Sequence, residues 1–415
     1  GDRSNEDNKG YKFRKRESLL GDIVDSEAVF VGPSKQKWPS KSGFPTGKNK
    51  HSDFATRTKK RRELVYVGAN DGMLHAFDAN TGDEVLAYLP GNLFTNKSHQ
   101  GYHNLTDPNY SHRFYVNATP RVTDAFIKSH VASSKSWRTV LVGTEGAGGR
   151  GVFALDVTNP KDFKESMAQK LVLWEFTDKD DPQLGYTLSR PVIAMLPNKR
   201  WAAIFGNGYE SKDKVGEAAL FIVYLDGGLD GVWDEGTDYI KISTTGYGTP
   251  ANRNGLSTPY VVDVDRDSIA DRVYAGDILG NMWVFDLQDR NPHIWKKKYH
   301  RLFDTGLQQP ITVSPTVTFH PTAPRKGNGH NLMVYFGTGQ YLVPGDNLNT
   351  KKQNFYAVWD RGDYELTPSD LLKQKYLPSD DSNGRLIDPN LWESLKAKYK
   401  GVDGGTRYGW YLDLP

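Results

Sequence analysis

Short runs of apolar and β-branched residues, each closing on a glycine or an aspartate, recur along the chain and set its architecture. The clearest is Leu64-Val65-Tyr66-Val67-Gly68, a turn at Asn70-Asp71-Gly72, and Leu74-His75-Ala76-Phe77-Asp78. Val, Tyr and Phe suit a pleated, half-buried surface, and Asn-Asp-Gly is favoured hairpin-turn chemistry. Four more copies follow: Val140-Leu141-Val142-Gly143 with Val152-Phe153-Ala154-Leu155-Asp156, Ala203-Ile204-Phe205-Gly206 with Leu220-Phe221-Ile222-Val223-Tyr224, Val273-Tyr274-Ala275-Gly276 with Met282-Trp283-Val284-Phe285-Asp286, and Val334-Tyr335-Phe336-Gly337 with Phe355-Tyr356-Ala357-Val358-Trp359. The strand-ending glycine is expected to supply the bend.

Another strand precedes each hairpin, at Ser26-Glu27-Ala28-Val29-Phe30-Val31, Thr119-Pro120-Arg121-Val122, Arg190-Pro191-Val192-Ile193, Thr258-Pro259-Tyr260-Val261 and Ser314-Pro315-Thr316-Val317. Proline is tolerated at the start of a strand, where no ladder donor is lost. One such strand, a hairpin and a following strand make a four-stranded blade. The expected fold is therefore all-β: a modified β-propeller of irregular four-stranded blades, about seven in number, forming a single domain over 1–415. The copies are spaced more widely than the ~40 to 50 residues of common propeller repeats, so the blades must carry long loops and short helical insertions. One insertion is expected over 99–113. Another is expected over 367–401, where Asp388, Pro389 and Gly401 bound a helix with Leu391, Trp392, Leu395 and Tyr399 on its apolar side.

Composition narrows the class. At 415 residues, with 41 glycines, 12% aromatic residues and no apolar run long enough to span a membrane, the chain has ample material for a core. The absence of cysteine excludes disulfides, thiol catalysis and cysteine-based zinc sites. Net charge is only +3, yet 35–62 holds ten Lys and Arg against one acid, Asp53. That stretch reads as a basic surface loop with Trp38, Phe44 and Phe54 interspersed. The first residues lack the charged and apolar regions of a signal peptide, and the last, Trp410-Tyr411-Leu412-Asp413, read as a strand. Both ends lead us to expect a piece of a larger protein.

The strongest chemical signal is Asp263-Val264-Asp265-Arg266-Asp267-Ser268-Ile269-Ala270-Asp271, between two strand-like runs. Calcium takes six to eight oxygen ligands, which a short loop supplies from side chains at positions 1, 3 and 5, a carbonyl at 7 and a closing carboxylate. Those positions are Asp263, Asp265, Asp267, Ile269 and Asp271. The loop closes at position 9 and has Ser268 where an EF-hand has glycine, so it is a compact relative. Magnesium fits less well, since it demands an octahedron and keeps several waters. A turn would explain one or two aspartates, but four acids in nine residues repel one another without a cation.

The hairpin over 65–78, the lead-in Leu19-Leu20-Gly21-Asp22-Ile23-Val24-Asp25-Ser26 and the loop over 263–271 together resemble the PilC/PilY family, type IV pilus-associated adhesins and biogenesis factors of Gram-negative bacteria. The resemblance covers nearly the whole chain and matches their C-terminal domain. It implies a modified β-propeller whose calcium loop regulates pilus extension against retraction, and thereby adhesion and twitching motility. Its implied ligands are Asp263, Asp265, Asp267, the Ile269 main-chain oxygen and Asp271; relatives often have Asn where this chain has Asp267. It also implies a cell-surface location at the pilus tip or outer membrane, no enzymatic activity, and as partners the pilus subunits, minor pilins and assembly machinery, with a host cell surface beyond them. Neither nucleic acid nor a membrane span is expected.

A rival reading is a quinoprotein dehydrogenase, because Ala76-Phe77-Asp78-Ala79-Asn80-Thr81-Gly82 resembles the blade-docking motif of PQQ propellers, with Tyr88 where a Trp would stand. Thr-Gly stands in the full motif only there, and the adjacent cysteines common near that cofactor are missing. A generic extracellular binding propeller is a further alternative. Weaker candidates are a His99 and His103 metal pair, a second cation site at Asp226 and Asp230, and the adhesive tripeptide Arg361-Gly362-Asp363.

Overall fold

In the computed structural model, which describes residues 4, 6, 13–41, 43–306, 309–321, 323, 331–362, 365–376 and 407–414, the apolar runs form antiparallel sheets in chain order. The chain divides into two compact units, Gly1–Val215 with Ala219–Lys241, and Gly216–Ala218 with Ile242–Pro415.

The first unit holds a sheet of β1 (Val29–Val31), β2 (Leu64–Gly68), β3 (Leu74–Asp78) and β4 (Glu84–Tyr88), and a second of β5 (Arg121–Ser129), β6 (Ala132–Thr144), β7 (Gly151–Asp156) and β8 (Val172–Thr177). It also holds most of a third, β9 (Val192–Met195), β10 (Trp201–Gly206), β11 (Ala218–Tyr224) and β12 (Tyr239–Thr244). The second unit holds β13 (Tyr260–Val262), β14 (Arg272–Gly276), β15 (Asn281–Asp286) and β16 (Tyr299–Asp304), then a sheet of β17 (Thr316–Phe319), β18 (Leu332–Gly337), β19 (Asn354–Asp360), β20 (Leu372–Lys373) and β21 (Gly409–Asp413) in the order β17-β18-β19-β21-β20. All five hairpins read from the sequence are present.

The described residues make five sheets rather than about seven. The stretches 32–63, 89–120 and 245–259 contain no strand of these sheets, so length that might have built further blades is spent on connections. The insertion at 99–113 contains a short helix, α2 (Tyr102–Thr106), which follows α1 (His51–Arg57). The Tyr102 hydroxyl lies 3.0 Å from the Gly72 carbonyl and 3.1 Å from that of Pro90, seating α2 on the β2–β3 turn. Of the insertion expected over 367–401, residues 377–401 lie outside the described residues, Leu391, Trp392, Leu395 and Tyr399 among them. Residues 367–376 contain a 3-10 turn, Pro368–Asp370, and β20, which runs parallel to β21.

The strand-ending glycines do not make the bends. Positive φ occurs later, at Gly72 (92°) and Gly280 (88°), inside the turns. Gly68 and Gly276 instead permit close approach: a Cβ on Gly68 would lie 2.3 Å from the Val116 carbonyl oxygen, and one on Gly276 2.1 Å from Ile311 Cγ2.

Middle strands are buried on both faces, as in β7, β10, β11 and β14, where every residue is buried. A recurring Arg–Asp pair links the second and third strands of several sheets or the residues that flank them. Arg62 meets Asp78 at 2.5 Å, Arg138 meets Asp156 at 3.6 Å and Arg200 meets Asp226 at 2.9 Å. Arg272, at the equivalent place in β14, pairs at 2.9 Å with Asp360 at the end of β19, which also accepts from the Tyr274 hydroxyl. Four strand-ending aspartates accept the N–H two residues on: Asp78 from Asn80, Asp156 from Thr158, Asp286 from Gln288 and Asp360 from Gly362.

The basic stretch over 35–62 is more than a loop. Nine of its ten cations are exposed, but it contains a 3-10 turn, Gly47–Asn49, and α1. Its aromatics fasten it: Trp38 meets Trp201 edge-on at 4.8 Å between ring centroids, with Phe44 beside both. In α1, Phe54 and His51 are buried, His51 packs on Trp137, and its Nε2 lies 2.8 Å from Asp124 Oδ2. The interspersed aromatics are anchors.

Two stability predictions follow from the buried charges. Replacing Asp360 with Ala strands Arg272 in the interior and should cost about 3 to 5 kcal/mol in urea unfolding; a loss under 1 kcal/mol would show the pair to be solvated. Glu145, buried at the end of β6, is pushed up to about 8 by burial, against an Asn92 amide that donates to it at 3.1 Å and with Glu175 and Asp178 adding to the rise. Because the folded state binds this proton more tightly than the unfolded chain, stability falls as pH rises from about 4.5 to about 8. Glu145→Gln should match the parent at pH 5 and exceed it by about 3 kcal/mol at pH 9; parallel pH profiles for the two proteins would contradict this.

Candidate metal centre

The loop over 263–271 joins β13 to β14 and is closed at its base by the Asp271 N–H, 2.8 Å from the Val262 carbonyl. Its shape comes from aspartates bonding their own backbone. Asp263 Oδ1 and Asp265 Oδ1 each accept from the Asp267 N–H at 3.0 Å, Asp263 Oδ2 accepts from Ser268 at 2.8 Å, and Asp267 Oδ1 accepts from Ile269 at 2.7 Å. These bonds turn the chain inward around its own carboxylates, with Arg266 (φ 64°) and Ser268 (φ 75°) in left-handed conformation. Short polar side chains of this kind tolerate and enforce such turns. Arg266 reaches outward to stack over the Phe319 ring at 5.6 Å, and Val264 and Ala270 bury into the unit beneath.

Asp263, Asp265 and Asp267 thereby converge, with one carboxylate oxygen from each within 4.8 Å of the others. It is the one such cluster of three or more potential ligands among the described residues. Three ionised oxygens at that separation suit a hard cation, and each oxygen that accepts an N–H keeps a second lone pair.

Asp271, the expected closing ligand, also binds the backbone of the loop. It stands outside the group of three, and its Oδ2 accepts from the Val264 N–H at 2.6 Å and the Asp265 N–H at 3.4 Å, holding the start of the loop. Burial pushes its carboxyl up to about 6, the two backbone bonds oppose the rise, and the nearby Asp265 and Asp263 charges reinforce it. Ile269 enters the loop through its N–H. The donor chemistry suits calcium at Asp263, Asp265 and Asp267, with Asp271 and the Ile269 carbonyl adjacent.

The weaker candidates resolve into structural roles. His99 pairs with Asp107, while His103 Nε2 lies 2.9 Å from the Thr95 carbonyl, so the two histidines serve different partners. Asp226 is held between Arg200 at 2.9 Å and Lys135 at 3.1 Å, and Asp230 accepts from the Val232 N–H at 3.0 Å. In the motif shared with PQQ propellers, Asp78 Oδ1 accepts from Asn80 and Thr81 to build the turn, and the Tyr88 hydroxyl bonds Glu175 of the next sheet. Asp363 lies outside the described residues; Arg361 is exposed and stacks over Tyr408 at 4.5 Å. The lead-in is docked, with the Gly21 N–H 2.8 Å from Asp71 Oδ2 and the Gly68 N–H 2.9 Å from the Ser26 hydroxyl.

Comparison with known proteins agrees with this architecture. The model of the PilY1 beta-propeller domain matches residues 20–370. A type IV pilus biogenesis factor PilY1 homolog of Xylella fastidiosa is 35% identical over 97% of this chain and 26% of its own length, and the type IV pilus biogenesis factor PilY1 of Pseudomonas aeruginosa is 35% identical over all of this chain and 35% of its own. The chain thus spans about a quarter to a third of these relatives. The crystal structure of the Pseudomonas aeruginosa PilY1 C-terminal domain superimposes with a TM-score of 0.66 and 30% identity, over 93% of this chain and 77% of that one.

The site geometry separates two aspartates that the sequence treats alike. Asp271→Ala should destabilise the metal-free protein by about 1 to 3 kcal/mol, since buried N–H groups lose their acceptor. Asp265→Asn, at an exposed position, should change urea stability by less than about 0.5 kcal/mol. Equal losses in the two variants would contradict the capping role of Asp271.

Proposed function

The chain belongs to the PilY1 beta-propeller domain family, and we propose that it is the calcium-binding regulatory propeller of a type IV pilus biogenesis factor, controlling pilus assembly against retraction and so adhesion and twitching motility. The single observation that supports the calcium part is the convergence of Asp263, Asp265 and Asp267 within 4.8 Å. Support for the pilus part comes from the relatives, which carry that name. The proposed setting is the cell surface of a Gram-negative bacterium, and the proposed partners are pilus subunits, minor pilins and assembly machinery. The role involves no bond making or breaking.

A bound calcium ion supplies positive charge where the three carboxylates repel one another. Asp263, Asp265 and Asp267 would hold it from the loop, with Asp271 and the Ile269 carbonyl beside them as the remaining expected ligands. The N–H bonds that Asp263, Asp265 and Asp267 accept keep their carboxylates oriented beforehand, which lowers the ordering cost of binding. With its repulsion relieved, the loop would be ordered more firmly between β13 and β14 and would offer a partner a different outer face. A pilus partner that recognises the ordered form then couples calcium to assembly by linkage.

Calorimetric titration of chelator-stripped protein should show calcium binding in the micromolar range or tighter, as in regulatory sites. Asp265→Asn should weaken it on the order of tenfold while leaving unfolding in chelator unchanged. At calcium about 100 times the dissociation constant the parent should gain about 2.7 kcal/mol of stability. Absence of heat in the parent would withdraw the calcium reading. If binding is lost in the variant but the full-length Asp265→Asn protein still supports normal surface pilus numbers, the regulatory part fails alone.

A further inference from the structure

We propose that the lysine-rich stretch over 35–62, between β1 and β2, is a docking surface for an acidic polysaccharide that carries two or more anionic groups per repeat. Of the chain's 53 Lys and Arg and 50 Asp and Glu, ten cations and a single acid, Asp53, fall within it. The rest of the chain is therefore net negative, and the molecule's excess of positive charge is gathered here. A run of cations on a loop is ordinarily a solvated face. This one differs in how it is held and in what lies between its charges.

Most of the cations are uncommitted. Lys35, Lys37, Lys41, Lys48, Lys59 and Lys60 are exposed and make no ion pair or side-chain hydrogen bond among the described residues. Asp53 reaches Lys50 at 4.0 Å, Arg62 is paired with Asp78, and Arg61 donates to the Gly32 carbonyl and the Thr139 hydroxyl. Exposed ammonium groups of one sign raise a positive potential that extends about 8 to 10 Å into solvent at physiological salt. The backbone beneath them is nevertheless fixed. Trp38 and Phe44 pack on Trp201, the Asn49 carbonyl accepts from Trp137 Nε1 at 2.7 Å, and α1 buries His51 and Phe54. The buried Thr58 hydroxyl accepts from the Ser34 N–H at 3.3 Å. Charges displayed on a held backbone cost less ordering when a partner arrives.

Basic clusters of this kind meet nucleic acids, anionic bilayers or acidic polysaccharides, and the neighbouring side chains choose among them. Single-stranded nucleic acid stacks its bases on open aromatic rings, but Phe44 and Phe54 are buried and Trp38 is half-buried against Trp201. A bilayer is entered by outward apolar side chains, and among the described residues none of the exposed large hydrophobic side chains falls within 35–62. Duplex DNA is read by an element that enters a groove, whereas α1 has seven residues and holds His51 and Phe54 inward. Between the lysines stand Ser40, Thr46, Asn49, Ser52 and Thr56, all exposed. Hydroxyl and carboxamide groups interleaved with ammonium groups match a polymer that bears hydroxyls and anions together on its rings. The cations also come in close pairs, Lys35 with Lys37, Lys48 with Lys50 and Lys59 with Lys60. Pairing of this kind favours repeats that carry more than one anion.

Fluorescence anisotropy of labelled heparin, titrated with the whole chain in chelator at about 50 mM salt, tests this assignment. Heparin carries several anions per repeat and should bind with a dissociation constant on the order of 1 μM, weakening about tenfold or more at about 200 mM salt. Hyaluronan, with one carboxylate per repeat, should bind more weakly. Lys59→Gln combined with Lys60→Gln should weaken heparin about fivefold. Lys297→Gln combined with Lys298→Gln removes the same charge from another exposed pair and should leave heparin binding within about twofold of the parent. Thermal unfolding checks that both double variants fold as the parent does. Equal losses in the two variants, absence of heparin binding, or hyaluronan as tight as heparin would overturn the proposal. So would a duplex DNA or a phosphatidylglycerol vesicle bound as tightly as heparin. Because the titrations are run in chelator, none of these outcomes depends on the aspartate loop.

Discussion

Middle strands buried on both faces admit a charged residue only where a partner of opposite charge meets it, and much of the molecule is arranged around that constraint. An ion placed within β7, β10, β11 or β14 would lose its hydration with nothing to replace it. Asp78 and Asp156 end third strands, where each accepts an N–H two residues on and meets an arginine, Arg62 just before β2 and Arg138 within β6. Arg272 departs from this pattern by pairing with Asp360 on the neighbouring sheet. The same interaction that ends a strand elsewhere here ties two sheets of the second unit together.

The aspartate loop is built from the same element with the cation removed. Asp265 and Asp267 accept N–H groups two residues on, as Asp78 and Asp360 do, but the arginine within the loop turns away to stack on Phe319. A motif that elsewhere terminates strands thus becomes, when repeated at alternate positions, a ring of oxygens. Asp271 shows how the two uses divide: its backbone closes the loop and its carboxylate holds the first turn, so the loop keeps its form before any ion arrives.

The connections differ in chemistry. The β13–β14 connection concentrates carboxylates, while the stretch between β1 and β2 concentrates lysines. Connections of this kind tolerate variation because the sheets beneath do not depend on them, which lets one scaffold present two unrelated surfaces.

The hairpins, the proline-led first strands and the aspartate spacing were legible in the sequence because each is local: period, turn chemistry and ligand spacing are properties of neighbouring residues. Sequence alone thus determined the β class, the strand assignments and the convergence of Asp263, Asp265 and Asp267. It misread what depends on distant partners. Gly68 and Gly276 looked like bends, yet they are small because Val116 and Ile311 come close. The stretch over 35–62 read as a surface loop, yet Trp38 and Phe44 pack on Trp201 and His51 packs on Trp137. The number of sheets, the pairing of Arg272 with Asp360 and the inward turn of Asp271 were decided only by tertiary structure. Each brings together residues tens of positions apart, and no local periodicity encodes which of them will meet.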